Sequence, residues 1–350
     1  MFPRMPHAMP TPATAATNTA TATATASPAT PALLHGLLDA GQAWSATYRG
    51  ALSSHLPMAQ QALLEMGASA GRLRAWSEGY ETVLEPRGQA RPASIVPGRD
   101  LGRPDSDASW RAHFANRMSE LGQEAALREA LALLLPGAGA AAFHGLIRTG
   151  HAVLAGHRGE IAAGLAHWAA HFLPLPVASV DTRMTTAAWL AALAGLRPPA
   201  RLPPGLIFER MQAWAATPGF AEIAAGLECT HDTLREVALL AARTYAATGN
   251  FTVLHLLTAS HAMAVLEPWW PTPELPEGFV VAAAAGLLAS GATPALQLVD
   301  GPNRAWPALL SAACAQDDAH VIKLAHAAWR LDRRWPDPAW RRAVERAIPL

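Results

Sequence analysis

The chain has 350 residues, 51% of them hydrophobic and only 15% charged, and its 27 acidic side chains balance 27 basic ones. This neutral, charge-poor composition lacks the electrostatic footprint of a nucleic-acid or acidic-membrane binder. No apolar run, residues 279–289 included, reaches the ~18–20 residues of a membrane span.

Cys229 and Cys314 make no metal or redox spacing. The expectation is a reducing, cytoplasmic setting, with neither nucleic acid nor membrane as partner. Nothing in the sequence sets the oligomeric state.

Residues 1–31 are Thr/Ala/Pro low complexity, as in Thr17-Asn18-Thr19-Ala20-Thr21. With no apolar h-region and Arg4 as its one basic residue, the stretch reads as a disordered tail. Residues 32–350 read as one all-α, bundle-like domain.

Leu33, Leu34, Leu37 and Leu38 form a first helical stripe. Met58, Leu63, Leu64 and Met66 mark a second helix, opened by Pro57, capped by Ser53 or Ser54 and stopped by Gly67. That places His55 at a helix N-terminus. Leu73, Trp76, Tyr80 and Leu84 mark a third. Residues 86–107 form a long loop.

One helix is predicted over 110–135, broken by Pro136-Gly137-Ala138-Gly139, and the next over 140–157 carries His144, Arg148 and His151 on one face. Further helices are predicted over 160–173, 182–196, 206–216, 220–245, 251–266 and 279–290. Residues 197–205 are a stiff proline-rich connector. Asp317 or Asp318 caps a helix running to about 330, and the last helix covers 338–348. No strand is expected.

The helix near 320 contains Lys323, the only lysine in the chain. An arginine stays protonated, whereas a buried lysine can lose its proton and act as a base, a nucleophile or a carbamate. His320 lies three residues before it, on the same helix face. The plain alternative is a Lys323 that reaches solvent and pairs with Asp317 or Asp318.

His167 and His171 have the i, i+4 spacing of a metal pair. His35, His113, His157 and His231 fall at polar or element-end positions and are expected to be solvated. His55, His144, His255, His261 and His320 instead lie within or at the start of apolar helices, and side chains from several helices of a bundle can converge on a metal. His255 and His261, six residues apart, point about 120° from each other, so the two are not expected on one ion. The glycines around 137–139 follow a helix rather than a strand, which argues against a dinucleotide turn.

Five segments in order resemble the questin oxidase-like family: Ser54-His55-Leu56-Pro57-Met58-Ala59, Phe143-His144-Gly145-Leu146-Ile147-Arg148-Thr149, Ala166-His167-Trp168-Ala169, His255-Leu256-Leu257-Thr258-Ala259-Ser260-His261-Ala262, and Ala319-His320-Val321-Ile322-Lys323-Leu324. They span roughly residues 32–330. The resemblance implies oxygen-dependent oxidation or ring opening of a polycyclic aromatic, anthraquinone-like polyketide.

Two chemistries occur under that resemblance. One is a Baeyer–Villiger-type oxidation with NADPH. The other is cleavage at a mononuclear non-haem Fe(II) held by histidines and a carboxylated lysine. Carried over by motif, the iron shell is His55, His144, His320, Lys323 and one of His255 and His261, with His261 preferred. Arg148 would contact substrate or support the shell. The chain departs from the family's pattern at Ser54, where Asn is usual, and at His167, where Tyr is commoner. A reading outside enzymology, a helical binding protein that has lost its chemistry, predicts a dispensable Lys323.

Overall fold

The 3.6-residue periodicity of apolar side chains is realised as helix over most of the chain. The computed structural model describes residues 27–89 and 91–348. Among these, seventeen α-helices follow in order: α1 (Pro31–Gly41), α2 (Leu56–Glu65), α3 (Ala70–Glu81), α4 (Pro97–Asp100), α5 (Asp107–Leu121), α6 (Gln123–Leu134), α7 (His144–Ala155), α8 (Arg158–Ala170), α9 (Thr186–Ala194), α10 (Ile207–Ala215), α11 (Phe220–Ala225), α12 (Thr233–Thr248), α13 (Phe251–Leu266), α14 (Glu277–Ser290), α15 (Trp306–Cys314), α16 (Ala319–Arg334) and α17 (Pro338–Ala347). Two two-residue strands, β1 (Thr47–Tyr48) and β2 (Leu52–Ser53), pair antiparallel between α1 and α2. No helix among the described residues is long and apolar enough to cross a membrane.

Four helices form a closed inner ring. α2 packs on α7, α7 on α13, α13 on α16, and α16 back on α2. Outer helices complete the burial: α8 backs α7, α12 and α14 back α13, and α17 backs α16. α13 is apolar on all sides and is buried over nearly its whole length, as a central helix must be. Two glycines let α7 come close to its neighbours. A Cβ on Gly145 would lie 2.5 Å from the Cα of Trp168 on α8, and one on Gly150 would lie 2.9 Å from the Cβ of Ala262 on α13.

Several element boundaries differ from the periodicity. The helix predicted over 110–135 is two, because Gly122 adopts φ 80° and turns the chain between α5 and α6. The helix predicted over 220–245 breaks at 226–232, where the Thr233 hydroxyl donates to the Glu228 carbonyl at 3.1 Å and the Thr230 amide donates to Thr233. α15 was not anticipated. The 86–107 loop contains α4, whose Asp100 accepts from the Val96 amide at 2.8 Å.

Of the expected N-terminal tail, residues 1–26 lie outside the described residues. Residues 27–31 are part of the fold: Ser27 accepts from the Ala70 amide, Ala29 donates to the Ala68 carbonyl, and Thr30 caps α1. The glycines at 137 and 139 serve packing, since their Cα atoms are pressed against Phe172 and Met211.

Candidate metal centre

The N-terminal ends of the ring helices carry four histidines. His55 is itself the N-cap of α2, with φ −97° and ψ 0° and no side-chain cap. The expected capping serine is absent from that role: Ser54 Oγ accepts only from Leu56, at 3.4 Å. The imidazole is therefore free to point inward, while its backbone amide donates to the Tyr80 hydroxyl at 3.1 Å.

His144 opens α7 after three successive left-handed non-glycine residues, Ala141 (φ 46°), Ala142 (φ 57°) and Phe143 (φ 69°). Each such residue is disfavoured by about 1–2 kcal/mol. The run persists because Phe143 is fully buried, and it brings the Ala141 carbonyl 2.6 Å from His144 Nδ1. In α13, His255 Nδ1 donates to the Phe251 carbonyl at 2.8 Å. In α16, Asp318 caps the helix through the His320 amide at 2.8 Å, and the same oxygen lies 3.0 Å from His320 Nδ1.

A carbonyl or carboxylate can only accept, so these contacts place the proton of His144, His255 and His320 on Nδ1 and leave a lone pair on each Nε2. The four rings close a quartet: centroids are 4.8 Å apart for His55–His144, 4.9 Å for His144–His255, 5.4 Å for His255–His320 and 4.4 Å for His320–His55. Ring nitrogens of His55, His144 and His320 lie within 4.8 Å of one another, and His255 joins them through its ring contacts with His144 and His320. Burial, reinforced by the positive charge of neighbours that include Lys323, holds His55, His144 and His255 well below the usual imidazole range.

Lys323 is 0% exposed and its Nζ has no hydrogen-bond partner. Burial pushes the amine down to about 7. The solvent-seeking alternative does not hold. Asp317 pairs with Arg72 and Asp318 with His320.

Aromatic side chains border the quartet. Phe251 is 53% exposed and sits edge-on to both His255 and His320, with centroids 4.7 Å away in each case. Trp76 stacks on Tyr80, which stacks on His55.

His261 does not join this quartet. Six residues beyond His255, it packs two turns further along the ring, with His151 of α7 and His326 of α16. The 120° separation on α13 could not say which of the two rings would meet His144. The contacts place His255 there.

Arg148 turns to α8, where its Nε lies 2.5 Å from Glu160 Oε1 in a fully buried pair that Gln42 completes at 2.8 Å. His144 and His151 face the ring, and Arg148 faces the neighbour outside it. His167 and His171 lie with ring centroids 4.7 Å apart and planes tilted by 60°, but His167 Nε2 is engaged by Ser53 Oγ at 3.2 Å. His157, expected in solvent, is buried and caps α8 through the Glu160 amide at 3.0 Å.

Sequence reasoning passed over Tyr80, Phe251, Gln61 and Glu65. The last two sit one and two turns into α2, on the face that leads away from His55. A signal was present in the spacing of His320, Lys323 and His326, three residues apart each time, which places all three along one stripe of α16.

Comparison with curated proteins gives no match. A family model does match, over residues 52–328, a span that holds the whole quartet and Lys323. Its members' name points to oxidoreductase chemistry on anthraquinones, hence to a small-molecule substrate. On that match the chain belongs to the questin oxidase-like family.

Proposed function

We propose that the chain is an oxygen-dependent oxidoreductase that oxidises or cleaves a polycyclic aromatic, anthraquinone-like substrate. In this reading a mononuclear non-haem iron is held by His55, His144, His255, His320 and a carboxylated Lys323. The observation that carries it is the buried, unpartnered amine of Lys323 beside four imidazoles.

The donor set fits such an ion. Three Nε2 lone pairs are set by Nδ1 contacts of the kind that orient metal-bound histidine. The 2.8 Å between His55 Nε2 and His144 Nε2 is close to the ~2.9 Å separating adjacent ligands whose bonds are ~2.0–2.1 Å long. Imidazole with carboxylate-type oxygen is a ligand set suited to Fe(II).

Lys323 can supply the oxygen. Its neutral amine adds to CO2, forming an N–C bond and releasing one proton, to give a carbamate anion. The same burial that costs the ammonium form favours the free amine. The carbamate also replaces an unpartnered donor by an anion among four imidazoles. Iron bound there would supply the redox chemistry that lets dioxygen react with an aromatic ring.

The chain's own residues do the rest. Ala141, Phe251 and Asp318 fix the tautomers and aim of three rings. The apolar walls of α13 and α16 exclude water. Phe251, 53% exposed beside His255 and His320, offers a flat face for an aromatic substrate at the open edge, and Trp76 and Tyr80 back His55 from behind.

The test is iron content and dioxygen uptake of the purified chain with hydroxyanthraquinones and their hydroquinones, with and without NADPH. Stoichiometric iron and substrate-dependent uptake that vanish together in Lys323→Met support the reading. A metal-free enzyme that turns over quinones with NADPH, in wild type and variant alike, contradicts it.

A further inference from the structure

Each ring helix repeats its site residue about two turns on. His144 is followed by His151, His255 by His261, His320 by His326, and His55 by Gln61 and then Glu65. The order is the same on all four helices, so they run in one direction and stack a second layer roughly 10 Å below the first, at 1.5 Å per residue.

The histidines of this layer are buried. His151 and His261 are 2% exposed and His326 is 0% exposed. His151 Nδ1 lies 2.6 Å from Gln61 Oε1, and His326 Nε2 lies 2.9 Å from Glu65 Oε2. The Glu65 carboxylate also takes Arg330.

These braces fix the tautomers of His151 and His326. Gln61, whose amide nitrogen donates to Glu65 at 2.8 Å, presents its oxygen to His151, so His151 carries its proton on Nδ1. His326 carries its proton on Nε2, facing the carboxylate. The nitrogens left over are His151 Nε2 and His326 Nδ1, and neither has a partner; nor has His261 Nε2. One ring nitrogen from each of the three histidines lies within 4.8 Å of the others. Their rings are tilted or edge-on, at 61° for His151–His261 and 90° for His261–His326, so they converge without stacking.

Three buried ring nitrogens left without partners in one place are rare and call for an occupant. A shared proton satisfies one pair and leaves the third nitrogen unmet. A cation accepts all three lone pairs at once.

The geometry points to a second metal site, formed by His151, His261 and His326 and braced by Gln61 and Glu65, that takes a divalent ion of the zinc or ferrous class. An all-imidazole donor set excludes magnesium and calcium, which take oxygen ligands. The Glu65–His326 arrangement is the carboxylate–histidine pair that supports bound metals. Held by three buried histidines, the ion would pin α7, α13 and α16 together beneath the quartet. The inference stands on its own residues and does not depend on the iron of the quartet.

The experiment is metal stoichiometry of the full chain as purified, followed by chelator stripping and titration with Co(II). Two equivalents in wild type, one lost in His261→Ala and the other in His320→Ala, support the second site. One equivalent in wild type that His261→Ala keeps and His320→Ala loses overturns it and leaves the quartet reading intact. One equivalent lost only in His261→Ala sinks the quartet reading and keeps the second site. Two equivalents retained in His261→Ala overturn the assignment. If His261→Ala does not fold, wild type and His320→Ala decide: a single Co(II) step in wild type, absent from His320→Ala, overturns the site, and a step that His320→Ala retains supports it.

Discussion

The two histidine layers use the same four helices and differ in what holds each ring. In the upper layer the braces are backbone carbonyls and a helix cap: Ala141, Phe251 and Asp318. In the lower layer they are side chains of α2, Gln61 and Glu65. Two of the three upper braces are backbone carbonyls that spend no side chain, and the layer keeps Lys323 and an edge where His320 remains 22% exposed. In the lower layer the three histidines are at most 2% exposed, and only the outer oxygen-bearing brace, Glu65, reaches the surface. Under the proposed function, the contrast sets a layer that meets a reactant against one that holds the helices presenting it.

Lys323 is where the layers are expected to separate most. Lys323→Met should abolish turnover, beyond the roughly 10–100-fold typical of removing an outer-sphere partner of a metal. The same change should leave the metal-free protein as stable as wild type or more so, because a buried, unpartnered polar group costs ~1–3 kcal/mol in proteins. Activity assays beside thermal melts of stripped protein check both halves. A variant that is destabilised yet active would break the comparison.

The two histidines of α13 sharpen it next. His255→Ala should cost activity by more than ~100-fold, and His261→Ala by less than ~10-fold per folded molecule, scaled to ligand and outer-sphere effects. Steady-state kinetics on soluble protein separates them. Equal losses would mean that the layers act as one site.

Glu160→Gln tests Arg148, which the family resemblance made either a substrate contact or a support of the metal shell. Removing one partner of a buried ion pair destabilises by ~3–5 kcal/mol. If Arg148 is structural, the loss appears in chemical denaturation while KM of the folded fraction stays within a few-fold; a selective rise in KM would return Arg148 to the substrate. Gly145→Ala should cost ~1–3 kcal/mol through overpacking against Trp168, read as a lowered denaturation midpoint.

The smallest effect lies far from both layers. The hydrogen bond from Arg99, with a second from the Val96 amide, holds the Asp100 carboxyl down at about 2. Because the folded value is depressed, its contribution is present above the ordinary carboxylate pKa and is lost as pH falls from about 4 toward 2. The stability gap between wild type and Asp100→Asn should therefore close over that window. A gap that persists at pH 2 would assign the effect to packing.

The helical fold was legible from apolar stripes and from unbroken apolar runs bounded by caps and turns. α13 begins at Phe251 and ends at Leu266 as the pattern predicts. Breaks were harder. Gly122 looks like any glycine within a helix until its φ of 80° is known, and the left-handed run at Ala141, Ala142 and Phe143 has no glycine to announce it. Lys323 stood out because it is unique. The choice between His255 and His261 was not legible, since helical spacing gives the angle between two side chains and not which one faces the ring's upper end. The lower layer escaped notice because its braces, Gln61 and Glu65, are residue types that ordinarily face water.

The most direct measurement of the central claim uses the chain's single lysine. Stripped or zinc-loaded protein is equilibrated with 13C-labelled bicarbonate and its carbon NMR spectrum compared with that of Lys323→Met. A carbamate resonance in wild type that is missing from the variant is the predicted result, and identical spectra would contradict the role assigned to Lys323.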